Sequence, residues 1–379
     1  MRPRRPVMRI ESLDVYRFPV PFRVVFRHAS ASRSEAANVI VAARGPEGST
    51  GYGEGCPREY VTGETQASAA AFIRRHSESI ARRVRGRNEL AAWMHEHRDE
   101  IDANPAAFCA LEIAVLDLMG RTEERSIEDL IGVSRLSGKF RYSAVLGDSS
   151  GSVFSARADE YLKLGFRDFK VKVSGDGERD AGRLRTLMRR SGSTARIRLD
   201  ANNFWNEPGE AIRYLKGLGA SVFAIEEPLQ PGDFAGMRRI SRECGVSVIL
   251  DESLARIEQL RELEEPAGWI VNLRVSKMGG IQRSLALASE AVRRGLGLVV
   301  GAQVGETSIL TRAALTVMNE QSGALVAAEG AFGTRLLERD LAEPCLMFGA
   351  GGTLNAETDL DLARSGLGLR IHEALLTPI

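Results

Sequence analysis

Residues 10–20 (IESLDVYRFPV) alternate apolar and polar positions, the period of a half-buried β-strand. Val39–Ala42 and Gly51–Gly55 flank Arg44-Gly-Pro-Glu-Gly48, so a hairpin is expected there. The period then lengthens. Thr65–Val84 and Pro105–Arg121 read as helices, the second carrying Phe108, Leu111, Ala114, Val115 and Leu118 at helical spacing. Residues 1–135 therefore predict an α+β module.

From about residue 141 short apolar runs alternate with helical stretches. Strands are expected at Tyr142–Leu146, Asp168–Val173, Arg196–Asp200, Ala224–Glu226, Val248–Asp251, Trp269–Val275, Leu298–Gly301 and Leu325–Ala328. Helices are expected at 154–164, 178–190, 207–218, 233–243, 279–294 and 306–320. Eight strands joined by seven helical crossovers predict an α/β fold, a closed parallel barrel over residues 136–345. An open doubly wound sheet is the alternative, but no Gly-rich phosphate loop follows an early strand. Gly349-Ala-Gly-Gly352 comes after the last strand and reads as a turn. Residues 346–379 are expected to return to the first module.

Composition changes this picture little. The chain has 379 residues, 44% hydrophobic and 27% charged, as a globular protein with a sizeable core would. Lys+Arg 51 against Asp+Glu 50 offers nothing to nucleic acid or an anionic membrane. No signal-peptide core and no membrane-length apolar run is seen, and Cys56, Cys109, Cys244 and Cys345 fit neither a disulfide framework nor a CxxC site. A cytoplasmic protein is expected.

The charged groups at the strand ends change it a great deal. Lys170 and Lys172 form Lys-Val-Lys; Asp200 opens Asp-Ala-Asn, Glu226 opens Glu-Glu-Pro, and Asp251 opens Asp-Glu-Ser. Each carboxylate follows the last by one strand–helix repeat, so the three should crown adjacent strands at the end where parallel barrels build their sites. Unaided, three such carboxylates would repel, and a hard divalent cation with oxygen ligands removes the difficulty. Lys170 and Lys172, two apart on a strand, face the same way. Each disfavours protonation of the other, so one can act as a base. A lone Lys-x-Lys usually marks a solvated face, and a lone carboxylate after a strand usually marks a turn or helix cap. The whole ordered series at one repeat length is much harder to obtain without a site.

These motifs, with Lys277-Met-Gly-Gly280, Gly301-Ala-Gln-Val-Gly-Glu-Thr-Ser308 and Gly51-Tyr-Gly-Glu-Gly55, resemble the enolase superfamily over nearly the whole chain. Within it the likeness is to the muconate cycloisomerase-like (muconate lactonizing enzyme) subgroup. The resemblance implies a (β/α)7β TIM barrel with an N-terminal capping domain, and Mg²⁺, or Mn²⁺ in its place, on Asp200, Glu226 and Asp251. It implies Lys172 as acid/base, Lys170 as its electrostatic partner, and a lid loop around Phe22–Ser32 carrying His28. Asn202, Glu306 and Glu329 are further candidates for contact with a small carboxylate substrate, and a homo-oligomer is expected.

Two departures bear on the reaction. The subgroup usually has a second catalytic lysine in an Asn-x-Lys segment on the sixth strand, where this chain has Asn272-Leu-Arg274. Arginine is a poor base but a good partner for anions. Lys277 is three residues further on and is expected to be structural. Dipeptide epimerases of the subgroup carry Asp-x-Asp on the eighth strand, where this chain has Ala328-Glu-Gly-Ala-Phe332. The mandelate racemase-like branch needs a histidine on the seventh strand, and the five histidines (His28, His76, His95, His97, His372) all lie outside the barrel region. A one-base cycloisomerase or lyase is therefore expected. The alternatives are an N-acylamino-acid racemase or o-succinylbenzoate synthase-like activity, a Schiff-base barrel and a non-catalytic barrel.

Overall fold

The computed structural model describes residues 8–28, 31–192, 194–263 and 268–379, without the side chains of residues 24–33. The N-terminal part holds β1 (Ser12–Arg17), β2 (Val20–His28), β3 (Ala31–Ala36), β4 (Val39–Arg44) and β5 (Thr50–Gly55). Strand β4 pairs antiparallel with both β1 and β5, and the turn between β4 and β5 falls at Pro46–Gly48 as its glycines and proline require. Helices α1 (Gln66–Arg83) and α2 (Pro105–Glu123) follow the hairpin. Helix α2 is buried on every side from Pro105 to Gly120, beyond the single apolar stripe its sequence shows.

Strand β5 reaches α2 through glycine. A Cβ on Gly53 would lie 2.1 Å from the Ala110 carbonyl oxygen and 2.5 Å from the Ala114 nitrogen. The Gly-Tyr-Gly-Glu-Gly run thus presents bare backbone to the helix while Glu54 points the other way. The segment expected as a lid loop around Phe22–Ser32 is a hairpin of β2 and β3, anchored where Phe22 bridges Leu337.

The second part is an eight-stranded parallel sheet in sequence order: β6 (Ala144–Leu146), β7 (Asp168–Lys172), β8 (Arg196–Asp200), β9 (Ala224–Glu226), β10 (Ser247–Leu250), β11 (Trp269–Arg274), β12 (Gly297–Gly301) and β13 (Leu325–Ala328). It curls until its ends meet, where the Ser143 N–H donates to the Ala328 carbonyl at 2.8 Å. Regular helices join the strands: α3 (Gly151–Lys163), α4 (Gly177–Ser191), α5 (Pro208–Gly217), α6 (Phe234–Cys244), α7 (Ile281–Arg293) and α8 (Ser308–Glu320). The fifth crossover, between β10 and β11, has only a 3₁₀ segment at Ile257–Glu262 among its described residues, where seven helical crossovers would put a helix. The C-terminal strand β14 (Thr377–Pro378) pairs with β1 in the first sheet.

Strand alternation decides what fills the barrel. Ala224, Ile249, Ile270, Val299 and Ala327 pack together as a small apolar floor apart from the main core. Residues two positions further along the same strands face the same way. They are Glu226, Asp251, Asn272, Gly301 and Glu329, so a polar layer sits directly above an apolar one.

Candidate active site

Lys170 is enclosed by carboxylates: its Nζ lies 3.1 Å from Asp200, 2.9 Å from Glu226 and 3.2 Å from Glu329. Burial alone would lower this ammonium, but Asp200, Glu226 and Glu329 outweigh it and hold Lys170 above the ordinary lysine range. Lys172, one pleat further out, donates to the Asn202 side-chain oxygen at 2.6 Å and lies 3.3 Å from Asp200. It is the more open of the two, with 16% of its side chain exposed against 4% for Lys170.

The eighth-strand carboxylate is bound within the barrel wall. One oxygen of Glu329 takes Arg198 Nη2 at 2.7 Å, and the carboxylate also faces Lys170. Although burial opposes the charge, Lys170 and Arg198 bring Glu329 down to about 2. Glu329, a candidate for substrate contact by sequence, thus meets two buried cations. Asn202, also expected at the substrate, is held by Lys172 in a left-handed backbone conformation with φ 46°.

Asp251 is fixed from behind. Lys277 Nζ donates to its Oδ1 at 2.8 Å, to its main-chain oxygen, and to the carbonyls of Asn272 at 3.0 Å and Leu254 at 3.2 Å. The short helical turn Val275–Met278 carries Lys277 beneath the site, which strand alternation alone could not foresee. Glu227 completes the cradle: its carboxylate accepts Asp251 N at 2.6 Å, Ser253 N at 2.8 Å and Ser253 Oγ at 2.7 Å. Burial pushes Glu227 up to about 7. Strand spacing does not single out Glu227, whose one signal in the sequence is the doubled glutamate of Glu-Glu-Pro.

Arg274 ends β11 across the barrel from Lys172. Its Nη2 pairs with Asp251 Oδ2, and its Nη1 donates to Gln303 Oε1 at 3.0 Å. Glu306 accepts the Gln303 N–H at 2.6 Å, and burial pushes its carboxyl up to about 8. It does not cap α8, a role taken by Thr307. His28 closes β2, and its side chain lies outside the described residues.

Asp200, Glu226 and Asp251 stand at the ends of three neighbouring strands, as their spacing predicts. Glu226 Oε2 and Asp251 Oδ2 are buried and accept no hydrogen bond, although each faces a cation. This all-oxygen donor set suits a hard divalent ion. Among the described residues no three such side chains stand close enough, as placed, to enclose one. As the side chains stand, Lys170 lies against Asp200 and Glu226, and Arg274 lies against Asp251. No helix among the described residues is long and apolar enough to cross a membrane.

Comparison with known proteins agrees with this arrangement. Residues 12–132 match the N-terminal domain model of the mandelate racemase / muconate lactonizing enzymes, and residues 153–375 match the enolase C-terminal domain-like model. An N-succinyl-L-Arg/Lys racemase of Bacillus cereus is 28% identical over 314 residues, covering 82% of this chain and 84% of the relative. The structure of a muconate lactonizing enzyme from Pseudomonas fluorescens with muconolactone superposes with a TM-score of 0.85 at 25% identity, covering 98% of each chain. A dipeptide epimerase from Enterococcus faecalis, complexed with Mg and L-Leu-L-Tyr, gives 0.83 at 26% identity, covering 97% of this chain and 100% of the other. Eight strands ending in this charged ring beneath a matching cap make the chain an enzyme of the enolase superfamily, in the mandelate racemase / muconate lactonizing enzyme family of isomerases and lyases.

Proposed function

We infer that the protein takes a proton from the carbon beside a substrate carboxylate by a one-base route, with Lys172 as the base. The observation that carries this is the unequal surroundings of the two lysines: Lys170 is closed in by Asp200, Glu226 and Glu329, while Lys172 pairs, among the described residues, with Asn202 and Asp200 and keeps an open side. Lys172 Nζ receives the proton, and Lys170 remains charged beside the developing anion. Asp200, Glu226 and Asp251 are the residues that would hold Mg²⁺, which when bound supplies positive charge to the substrate carboxylate. Likeness to a dipeptide epimerase complexed with Mg supports this choice of ion.

Arg274 stands where a second base would act. Its guanidinium is fixed by Gln303 and Asp251 and serves as an anchor for negative charge, not as a proton carrier. Cycloisomerisation or elimination on a small carboxylic acid follows from this asymmetry. The second reading, racemisation of an N-acylated amino acid or epimerisation of a dipeptide, draws on the relatives named above.

The test is α-proton exchange in D₂O with Mg²⁺, followed by mass spectrometry. The panel holds muconates, N-succinylamino acids, dipeptides and hydroxy acids, with both enantiomers where they exist and Lys172→Ala as control. Exchange of one enantiomer that vanishes in the control supports the one-base reading. Exchange of both enantiomers favours the second reading. Exchange that survives Lys172→Ala refutes the assignment of the base.

A further inference from the structure

Between β12 and α8 the chain turns sharply through Ala302–Glu306. Gly305 takes φ 91°, and Glu306 N returns to the Gln303 carbonyl at 3.2 Å. This turn carries Gln303, the partner of Arg274. Its next two carbonyls point out of the barrel and into the capping module. Val304 O accepts Arg58 Nη2 at 2.6 Å, and Gly305 O accepts Asn38 Nδ2 at 2.6 Å.

Arg58 is fully buried. Its acceptors are the carbonyls of Ala37, Pro57 and Val304 and the side-chain oxygen of Asn38, none of them formally charged. Even with the Glu306 carboxyl near enough to feel its charge, a buried guanidinium whose hydrogen-bond acceptors are neutral is an expensive way to satisfy carbonyls. What it offers in return is a rigid fork that spans three backbone segments at once. Asn38 extends the span, since the amide that holds Gly305 O also donates to Glu54 at 2.6 Å. Glu54 in turn accepts Thr307 N at 3.0 Å and Thr307 Oγ1 at 2.7 Å, where α8 begins. On the other flank Cys56 N donates to Ser276 Oγ at 2.8 Å, two residues beyond Arg274. The stretch Glu54–Arg58 therefore touches both turns that present the Arg274–Gln303 pair.

The geometry points to Arg58, with Asn38, as a positioning residue that fixes the Arg274–Gln303 wall of the active site from the capping module. This rests on the reading of Arg274 as the group facing the substrate opposite Lys172. Arg58 touches no substrate; it acts through Val304, Gly305 and Gln303. The cap thereby has a second task besides covering the site, which is to hold one side of it in register.

The test compares wild type, Arg58→Met and Arg58→Lys in the full-length protein. In amide hydrogen exchange read by mass spectrometry, Arg58→Met should speed exchange in peptides covering residues 302–307 by about tenfold or more, while peptides covering 168–172 stay unchanged. Arg58→Lys, which keeps the charge and loses the fork, should fall between. For α-proton exchange, Arg58→Met should lower kcat/KM by about tenfold or more. The same change made on an Arg274→Met background should cost almost nothing further, because its effect passes through Arg274. Unchanged protection of 302–307 overturns the proposal, as does an equal loss of kcat/KM in both backgrounds. If no panel compound exchanges with wild type, the one-base reading fails, while the protection experiment still decides whether Arg58 holds the turn. Should Arg58→Met not fold, Asn38→Ala, which removes the donor to Gly305 O, carries the same comparisons.

Discussion

Replacing Lys277 with methionine separates two roles that one lysine near a barrel site could play. Lys277 Nζ is buried and satisfies four oxygens, the Asp251 carboxylate and the carbonyls of Asp251, Leu254 and Asn272. Methionine fills similar space and donates nothing. Removing one partner of a buried ion pair costs about 3–5 kcal/mol where the other charge is left uncompensated; Arg274 still pairs with Asp251, so the lower end applies here. Each carbonyl left without a donor adds about 1–3 kcal/mol where water does not replace it. Relief of the lysine's own desolvation offsets part of this, so a net loss of about 4 kcal/mol is expected. That lowers the melting temperature of a 379-residue chain by roughly 5 °C. The assay is thermal unfolding of wild type and variant in one buffer, with α-proton exchange measured on the same preparations below the transition. A variant as stable as wild type that has lost exchange would refute the argument. Lys277 would then be the acid/base on its face, and Arg274 would lose that place.

Three further predictions use other parts of the molecule. Arg274→Lys restores a base on the second face, and D₂O exchange should then appear for the enantiomer that wild type leaves untouched. Gly53→Ala sets a methyl 2.1 Å from the Ala110 oxygen, where only backbone could yield; a loss of about 3 kcal/mol or more is expected in unfolding experiments. Glu112, buried in α2, accepts Ile281 N at 2.7 Å and Gln282 N at 2.9 Å, and burial raises its carboxyl from 4.5 to about 7. Between those values the folded protein keeps a proton that the unfolded chain has released. Its contribution is therefore fully present below pH 4.5 and is lost, by about 3 kcal/mol, as pH rises to about 7. Glu112→Gln has no proton to lose, so its urea midpoint should fall less than that of wild type between pH 4.5 and 8; parallel pH dependences would refute this.

Much of the fold could be read before any coordinates, because it follows from local rules. A period near two marks a strand, a period near 3.6 marks a helix, and repeated alternation of the two leaves few topologies open. Strand periodicity also places Lys170, Lys172, Asp200, Glu226 and Asp251 at one end of the barrel, since charge at the end of a buried strand has few other places to go. The hairpin of β2 and β3 is not legible in the sequence, because Phe22–Ser32 has no clear alternation. A helix between β10 and β11 follows only from the repeat count, and no residue pattern there supports it.

Partnership was the part that sequence could not supply. Sequence offers Glu329 as a candidate substrate contact, and only the closed sheet, which brings the end of the eighth strand to the second and third, shows that it meets Lys170 and Arg198. Asn202 is by sequence a candidate for substrate contact, and a left-handed turn folds it back onto Lys172. Lys277 escapes the alternation of β11 only because the chain coils as soon as the strand ends. Glu227 and Arg58 act through backbone atoms of remote segments, which no spacing along the chain can register. Local periodicity determined which residues reach the site, and the closure of the barrel beneath its cap decided which charges they meet there.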